Sequence, residues 1–229
     1  TPAPSPFFFF FQMIGLTNVT VAYSRPSMKG RDIMGDLVPY GKLWRTGANR
    51  ATKISFSESM SIGGNQLEAG DYALLTIPGK KEWTIIISNN ADQNGSAEYD
   101  QGEDAVRFSV QSQKTKATYE TFTIMFSDLD NHSAMMNIMW ENTQVQIPVQ
   151  DYDMDDVVMA QISKEMPEAG DNDNMYYAAA SYYFSNGKDL RQAATGIDKA
   201  AEINDQKYWV IHLQSKIHLS LNKSEKERE

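Results

Sequence analysis

The hydrophobic pattern of this 229-residue chain changes its period once, near residue 150, and this change constrains the fold more than any other feature. Before that point, apolar and polar residues alternate in short runs separated by turn residues, which is typical of antiparallel strands. After it, apolar residues recur at helical spacing, and alanine and long polar side chains replace the β-branched ones. The sequence therefore predicts two structural units of different class.

The first unit is predicted to be a β-sandwich domain over residues 13–150, preceded by an extended segment over residues 1–12. About eight runs have the alternation of strands, a number that favours a sandwich or a barrel. Residues 72–77 and 83–87 are continuously apolar enough to be strands buried on both faces. Alternation also places six residues on inward faces, so we expect one shared core of Trp83, Ile85, Phe108, Phe122, Ile124 and Trp140.

The second unit, residues 151–229, is predicted to be a small all-α, tetratricopeptide-like domain. A first helix is expected to end near Pro167, and three more are expected over about residues 174–185 and 190–203 and from residue 208. Small and large residues in the middle pair match the packing positions of one tetratricopeptide repeat, namely Tyr177, Ala180, Phe184, Ala193, Ile197 and Ala200. An ordinary helical appendage would have similar alanines, so both interpretations stay open.

Composition excludes several classes of functional site. The chain has no cysteine, which excludes thiolate zinc sites, iron–sulfur clusters, cysteine nucleophiles and disulfides. His132, His212 and His218 do not have the spacing of a catalytic triad. The acidic residues 151–156 lack the glycine of a calcium loop, so we interpret them as part of a solvated linker. We therefore predict no catalytic residue, no metal site and no cofactor.

Charge and hydropathy narrow the possible partners. The chain has a net charge of −9 and a pI near 4.9, so it is negatively charged at neutral pH and repels a polyanion. We therefore expect no nucleic-acid partner. The longest apolar run is the five phenylalanines of residues 7–11, far short of the roughly 20 residues that span a bilayer, so no transmembrane segment is expected. Exposed, these five residues would promote aggregation, so we expect a buried strand or docking segment. A membrane-inserting tip is the less favoured alternative.

Residues 25–53 carry seven Lys and Arg residues and only two acids, although the chain as a whole is acidic. Converging guanidinium groups bind carboxylates and phosphates. Candidate anion-binding residues are therefore Arg25, Arg31, Arg45 and Asn49. The alternative is that these side chains tie a long irregular loop to the sandwich through bonds to backbone carbonyls. Exposure separates the two possibilities, because an anion clamp lines an open cleft.

The helical unit carries the candidate partner-binding residues. Tyrosine and tryptophan are enriched at protein interfaces, because they bury a large area and keep a polar group. On this ground the candidates are Tyr182, Tyr183, Tyr208 and Trp209, and we expect a protein partner in an envelope complex. The chain opens with Thr1-Pro-Ala-Pro-Ser-Pro6, a composition often left after removal of a targeting segment. We therefore expect a periplasmic or outer-surface protein, exported after removal of its signal peptide.

Several motifs in the first unit resemble one known family. In order they are Tyr23-Ser-Arg-Pro, Gly30-Arg31, Leu37-Val-Pro-Tyr-Gly41, Trp44-Arg-Thr-Gly-Ala-Asn49, Ala69-Gly-Asp-Tyr-Ala73, Ile77-Pro-Gly79 and Glu82-Trp-Thr84. Together they resemble the bacterial family catalogued as domain of unknown function 2911, over about residues 15–149. The resemblance implies an exported protein of Bacteroidetes-type bacteria, often with a tetratricopeptide-like tail, and it implies no activity. In relatives an ordinary mixed strand is expected where this chain has residues 7–11.

These observations lead to one leading hypothesis about function. We expect a non-catalytic binding or assembly module of the cell envelope rather than an enzyme. The alternative is an anion- or glycan-binding or processing protein that uses the arginine-rich loop.

Overall fold

The computed structural model describes residues 4–152 and 154–226, and the predicted fold class is confirmed. The chain divides into two compact units, Thr1–Met154 and Asp155–Glu229, which we call the β unit and the helical unit. The described part of the β unit contains nine strands, one more than the sequence indicates. They are β1 (Phe7–Ile14), β2 (Thr17–Ser24), β3 (Ala48–Phe56), β4 (Met60–Ile62), β5 (Asn65–Leu67), β6 (Gly70–Ile77), β7 (Glu82–Ser88), β8 (Asp104–Ser127) and β9 (Ser133–Asp151).

One long strand, β8, connects the two sheets of the β unit. All strand pairs are antiparallel, in the order β1-β2-β3-β6-β7-β8-β9-β4-β5. The first part of β8, up to Gln111, pairs with β7, and from Ser112 onward β8 pairs with β9. The predicted shared core is confirmed: both sheets contribute to one cluster that contains Trp83, Ile85, Phe122, Ile124 and Trp140, with Phe108 partly buried against it.

Strand β9 changes direction at Glu141, which has a φ of +55°. The amide oxygen of Asn137 accepts hydrogen bonds from the side chains of Gln144 (2.7 Å) and Gln146 (2.9 Å), which lie seven and nine residues further along the chain. A straight strand rises about 3.3 Å per residue, so it would separate residues seven apart by roughly 23 Å. The pairing of β8 with β9 shifts register between residues 114 and 123, so the bend involves both strands.

Strands β6 and β7 are buried on both faces, as their continuous apolar runs predict. One face of these strands belongs to the shared core. The other face belongs to a smaller cluster formed by Ala51, Ala73, Leu75 and Ile86, covered by Leu43 and Tyr99 from irregular segments. The loop between β2 and β3, which carries Leu43, and residues 89–103, which include Tyr99, thus cover the second face of these central strands.

Strand β1 departs from the expectation of a buried segment. Phe7, Phe9 and Phe11 are 68%, 63% and 71% exposed, whereas Phe10 packs against the core and Phe8 meets the core ring of Tyr23 edge-on at 5.9 Å. The reason is the position of β1 at the end of the sheet order, where alternate side chains point away from the sandwich.

Asp151 is the last residue of β9 and is buried, whereas the sequence places it in a solvated linker. One oxygen of its carboxylate accepts the backbone N–H of Leu16 (2.9 Å) and the hydroxyl of Thr17 (3.2 Å). The last residue of the last strand therefore holds the turn between the first two strands, β1 and β2.

The helical unit contains four helices among its described residues: α1 (Met154–Glu165), α2 (Asp173–Ser185), α3 (Leu190–Ile203) and α4 (Tyr208–Lys226). Asn172 and Asp189 cap α2 and α3, since their side chains accept backbone N–H groups of the first turn. Small residues let α2 and α3 pack closely, because a Cβ added at Gly196 would lie 3.4 Å from that of Ala180. The tetratricopeptide-like character of these helices stays a prediction. None of the described helices is both long and apolar enough to cross a membrane.

We expect the substitution Asp151→Ala to lower the free energy of unfolding of the β unit by about 1–3 kcal/mol, because two partly or fully buried donors lose their acceptor. Urea unfolding followed by tryptophan fluorescence measures this, since three of the four tryptophans lie in the β unit. The matched control is Asp36→Ala, which removes an exposed carboxylate of the same unit. Equal midpoints for the two variants would contradict the anchoring role of Asp151.

Candidate functional site

The loop between β2 and β3, residues 25–47, carries most of the family-like motifs and is held at several points. Met28 donates its N–H to the carbonyl of Glu120 on β8 (2.8 Å). Further along, the N–H of Met34 donates to the carboxylate of Glu141, the residue at the bend of β9 (3.1 Å). The loop is therefore fixed to the part of the sandwich where β8 and β9 change direction.

Trp44 connects this loop to the aromatic core of the β unit. Its ring stacks on Trp140 at 6.0 Å and 19°, and it meets Phe122 and Trp83 edge-on at 5.0 and 6.1 Å. Its backbone exchanges two hydrogen bonds with Thr76 on β6, at 2.7 and 2.9 Å. One partly buried side chain thus contacts rings from β7, β8 and β9.

The residues that follow Trp44 make a sharp turn into β3. Thr46 is fully buried with a φ of +55°, a conformation that β-branched residues rarely adopt, and its hydroxyl bonds to that of Thr76 (3.1 Å). Gly47 has a φ of +151°, and a Cβ there would lie 3.1 Å from the carbonyl oxygen of Ser24. Asn49 has a φ of +64°, which asparagine tolerates, and donates to the Ser24 hydroxyl (3.0 Å). The motif therefore encodes packing and a turn.

Arg25, the first candidate anion-binding residue, is bonded to the sandwich itself. Its Nε donates to the carbonyl of Phe122 (3.1 Å), and its Nη2 donates to the hydroxyl of Thr123 (2.9 Å). Its guanidinium also lies over the ring of Phe8, 5.2 Å from the centroid. These contacts are those of a structural tie between β8 and the strands beside it.

Arg31 and Arg45 also donate to backbone carbonyls. Arg31 donates from Nε to Met28 (2.9 Å) and from Nη2 to Ser27 (2.7 Å), within its own turn. Arg45 donates from Nη1 to the carbonyl of Asn49. No two of the three arginines share a bonding partner in the described part of the chain, so the structure does not assemble them into one clamp.

A small cavity of about 240 Å³ lies where this loop enters β3. It is lined by Tyr23, Ser24, Asn49 and by Arg50, a residue that the sequence analysis does not select. Burial raises the pKa of the Tyr23 phenol above its ordinary value, so the hydroxyl stays protonated. In the sequence, the only sign that Arg50 belongs to a site is its position directly after the motif of residues 44–49.

The helical unit contains a larger groove, of about 710 Å³, between α1, α2 and α3. Apolar and aromatic side chains form part of its surface, among them Ile162 on α1 and Tyr176 and Tyr183 on α2. Polar side chains three or four residues apart form a stripe along α3, and they are Gln192, Thr195, Lys199 and Glu202. We call this feature the helical groove.

A second cavity, of about 310 Å³, lies between α1 and α2 and includes Tyr182 and Met175 in its lining. Ile162 and Met166 line both cavities, so this part of the chain separates them. Of the four candidate partner-binding residues, Tyr183 borders the helical groove and Tyr182 borders this cavity. Tyr183 is only 8% exposed and mainly packs in the core of the helical unit.

The other two candidates form a separate exposed patch at the start of α4. Tyr208 and Trp209 are 78% and 42% exposed, and their rings meet edge to face at 5.2 Å. The ammonium of Lys207 lies 5.9 Å from the Trp209 ring and forms an ion pair with Asp173 (2.6 Å). The structure thus places the four candidates in pairs, one at the cavities beside α1 and one on α4.

The charged side chains that line the helical groove are Asp198, Lys199 and Glu202. Asp198 borders the groove, and its carboxylate lies 2.7 Å from Nε2 of His218 and accepts from the amide of Gln214 (2.8 Å). Within residues 4–152 and 154–226, no serine hydroxyl bonds to His218, and no cluster of three or more His, Asp or Glu could hold a metal ion.

We expect Arg25→Met to lower the free energy of unfolding of the β unit by about 1–3 kcal/mol, because it removes two hydrogen bonds of a charged, partly buried group. Arg50→Met is the matched control, since Arg50 is exposed, and its effect should stay within about 0.5 kcal/mol. Urea unfolding measures both variants. A more stable or unchanged Arg25→Met protein would contradict the structural role.

Comparison with known proteins identifies one relationship. A family model described as Protein of unknown function (DUF2911) matches residues 5–149, which is more than half of the chain and spans the motif-bearing loop. No curated protein and no solved structure matches. Because the matched region contains the Trp44 motif and nearly the whole sandwich, the chain belongs to the DUF2911 family of proteins of unknown function.

Proposed function

We propose that this protein is a non-catalytic binding or assembly module of the cell envelope, and that its helical unit holds a segment of a protein partner. The observation that carries the proposal is the helical groove, whose volume of about 710 Å³ lies in the range of about 300–1,000 Å³ usual for binding sites. The envelope location and the tetratricopeptide-like character of the helices are parts of the proposal that rest on the sequence.

The chemistry of the groove suits a peptide segment. Tyr176, which is only partly buried, offers aromatic surface for apolar side chains of the partner. The exposed amide of Gln192 and the exposed hydroxyl of Thr195 offer hydrogen bonds to a peptide backbone. A groove that combines both features fits a mixed polar and apolar chain better than a purely apolar ligand.

The charged groups of the groove support binding rather than catalysis. Lys199 forms an ion pair with Glu202 (2.9 Å), and Asp198 is engaged by His218 and Gln214. Nucleophilic catalysis needs a nucleophile within hydrogen-bond reach of its base. The His218–Asp198 pair has no such neighbour among the described side chains.

The anion- or glycan-binding alternative has narrower support. In its favour, Arg50 and Asn49 line the cavity of about 240 Å³ in the β unit. Against it, the guanidinium groups of Arg25, Arg31 and Arg45 already donate to backbone carbonyls. Each guanidinium keeps further N–H groups, but these bonds orient the three groups toward carbonyls of different residues, Phe122, Met28 and Asn49, rather than toward one ligand.

A pair of matched substitutions tests the groove. Thr195 and Ser215 are both exposed, and both hydroxyls bond at 3.0 Å to the carbonyl four residues earlier, but only Thr195 lines the groove. We expect Thr195→Arg to reduce the yield of a chemically cross-linked partner from native envelopes by about tenfold, which corresponds to roughly 1.4 kcal/mol. Ser215→Arg should leave the yield unchanged.

The exposed patch on α4 is tested separately. We expect Tyr208→Ala combined with Trp209→Ala to weaken the same association and to leave urea unfolding of the β unit unchanged, because both residues lie in the helical unit. Leu37→Ala with Leu129→Ala is the control, since it removes two exposed apolar side chains of the β unit. Recovery of the wild-type protein from native cells without any cross-linked protein would contradict the proposal, as would its recovery only from the cytosolic fraction.

A further inference from the structure

Strand β1 has a free edge and an exposed apolar face at the same place. It is the first strand in the sheet order, and all eight of its residues pair with β2 on one side. In the described residues, no strand pairs with its other side. An unpaired strand edge presents N–H and C=O groups that another strand can bind.

The exposed face of β1 is a continuous stripe of large apolar side chains. Phe7, Phe9, Phe11 and Met13 alternate along the strand with exposed fractions between 58% and 71%. Their partners on β2 are smaller residues, namely Ser24, Ala22, Thr20 and Asn18, so the neighbouring strand does not cover the rings. Apolar stripes of this kind on a soluble domain mark interaction surfaces.

None of the usual protections of an edge strand is present in β1. Natural sheets block their edges with charged residues, proline or bulges. Residues 7–14 contain no charged residue and no proline, and their pairing with β2 is regular throughout. The other end of the sheet order, β5, is different, because it has only three residues.

We propose that a second copy of this chain pairs with β1 through its own β1, in an antiparallel arrangement about a two-fold axis. An axis near the middle of the strand places Phe9 of one copy opposite Phe11 of the other, and the two outward stripes then share one face. Each copy has one such edge, so the pairing closes at a dimer. This inference rests on the β unit alone and is independent of the function proposed for the helical unit.

The stripe and the strand edge both contribute to such a dimer. A fully covered phenylalanine buries about 150–250 Å², so the exposed fractions of the three outward rings correspond to on the order of 400 Å² of apolar area per copy. Edge pairing covers this area in part, because the two stripes lie side by side on one face, and the backbone hydrogen bonds of the two paired edges add to it.

A membrane surface fits the same stripe less well. Lipid chains would cover the rings, but they cannot accept or donate hydrogen bonds, and an open sheet edge in lipid leaves its N–H and C=O groups unsatisfied. A second β1 strand pairs the backbone groups and covers the rings from the side. The observations therefore favour a second copy over a bilayer.

Mass measurement of the full chain tests the proposal. At about 100 μM, well above a micromolar dissociation constant, light scattering coupled to size exclusion should give twice the chain mass of 25.8 kDa. Phe9→Lys with Phe11→Lys should return the mass to 25.8 kDa, because two like charges per copy then face each other. The control, Leu37→Lys with Leu129→Lys, adds the same charge at exposed positions of the same unit and should stay dimeric.

A proline substitution separates strand pairing from simple contact of apolar surfaces. Arg25 donates its N–H to the carbonyl of Pro6 (2.9 Å), so by alternation the N–H of Phe11 points to the free edge. Phe11→Pro therefore removes a donor from the free edge and none from the pairing with β2, and it should also give a monomer. Its control is Phe11→Ala, which removes the same ring but keeps the N–H and should stay dimeric; a Phe11→Ala protein that is equally monomeric would contradict strand pairing.

Three further results would overturn the proposal. The first is a wild-type protein that stays at 25.8 kDa at the highest concentration, and the second is an open-ended series of larger assemblies. The third is a monomer that sediments with neutral phosphatidylcholine vesicles and loses this binding in the Phe9→Lys, Phe11→Lys variant, since that result assigns the stripe to a membrane. If the lysine variant fails to fold by circular dichroism, Phe7→Lys with Met13→Lys at the ends of the stripe replaces it. In the wild type, backbone hydrogen exchange of residues 7–13 should slow as concentration rises.

Discussion

The packing of Trp44 against three aromatic rings is the interaction on which the β unit depends. Trp83, Phe122 and Trp140 come from three different strands, and the tryptophan that joins them comes from a loop. Removing a buried ring of this size costs about 3–5 kcal/mol, and Trp44, which is partly buried, provides a share of that. Net stabilities of domains are only about 5–15 kcal/mol, so this contact is a large contribution beside the backbone hydrogen bonds that also hold the loop on the sandwich. The left-handed conformation of Thr46 is tolerated because this packing holds the chain around it.

Much of the fold could be predicted from the sequence, because periodicity reports which faces are buried. Alternation correctly assigned Trp83 and Ile85 to one core, and the change of period near residue 150 separated strands from helices. Periodicity does not report whether a strand lies at an edge. Five consecutive phenylalanines also have no alternation, so the expectation that they are buried rests only on their tendency to aggregate, whereas Phe9 and its outward neighbours are exposed.

The candidate sites were less predictable, since their roles depend on which groups lie nearby. A cluster of arginines in the sequence does not show whether each guanidinium points to a ligand or to a carbonyl, and Arg25 and Arg31 point to carbonyls. Asn49 is a candidate anion-binding residue in the sequence. In the structure its backbone has a φ of +64°, a conformation that asparagine adopts more readily than most residues. The helical groove was not visible in the sequence, because it lies between residues from three helices.

The carboxylate of Asp151 has a consequence for the order of folding. Its hydrogen bonds to Leu16 and Thr17 join residues 135 and 134 positions apart, among the longest separations in the β unit. Contacts of this kind slow folding, because a long loop must close before they form. During synthesis the first hairpin therefore lacks its anchor until the last strand has emerged, although its strands can already pair. The outward phenylalanines stay exposed in the folded β unit as well, so their exposure begins with the first hairpin and lasts beyond the completion of the fold.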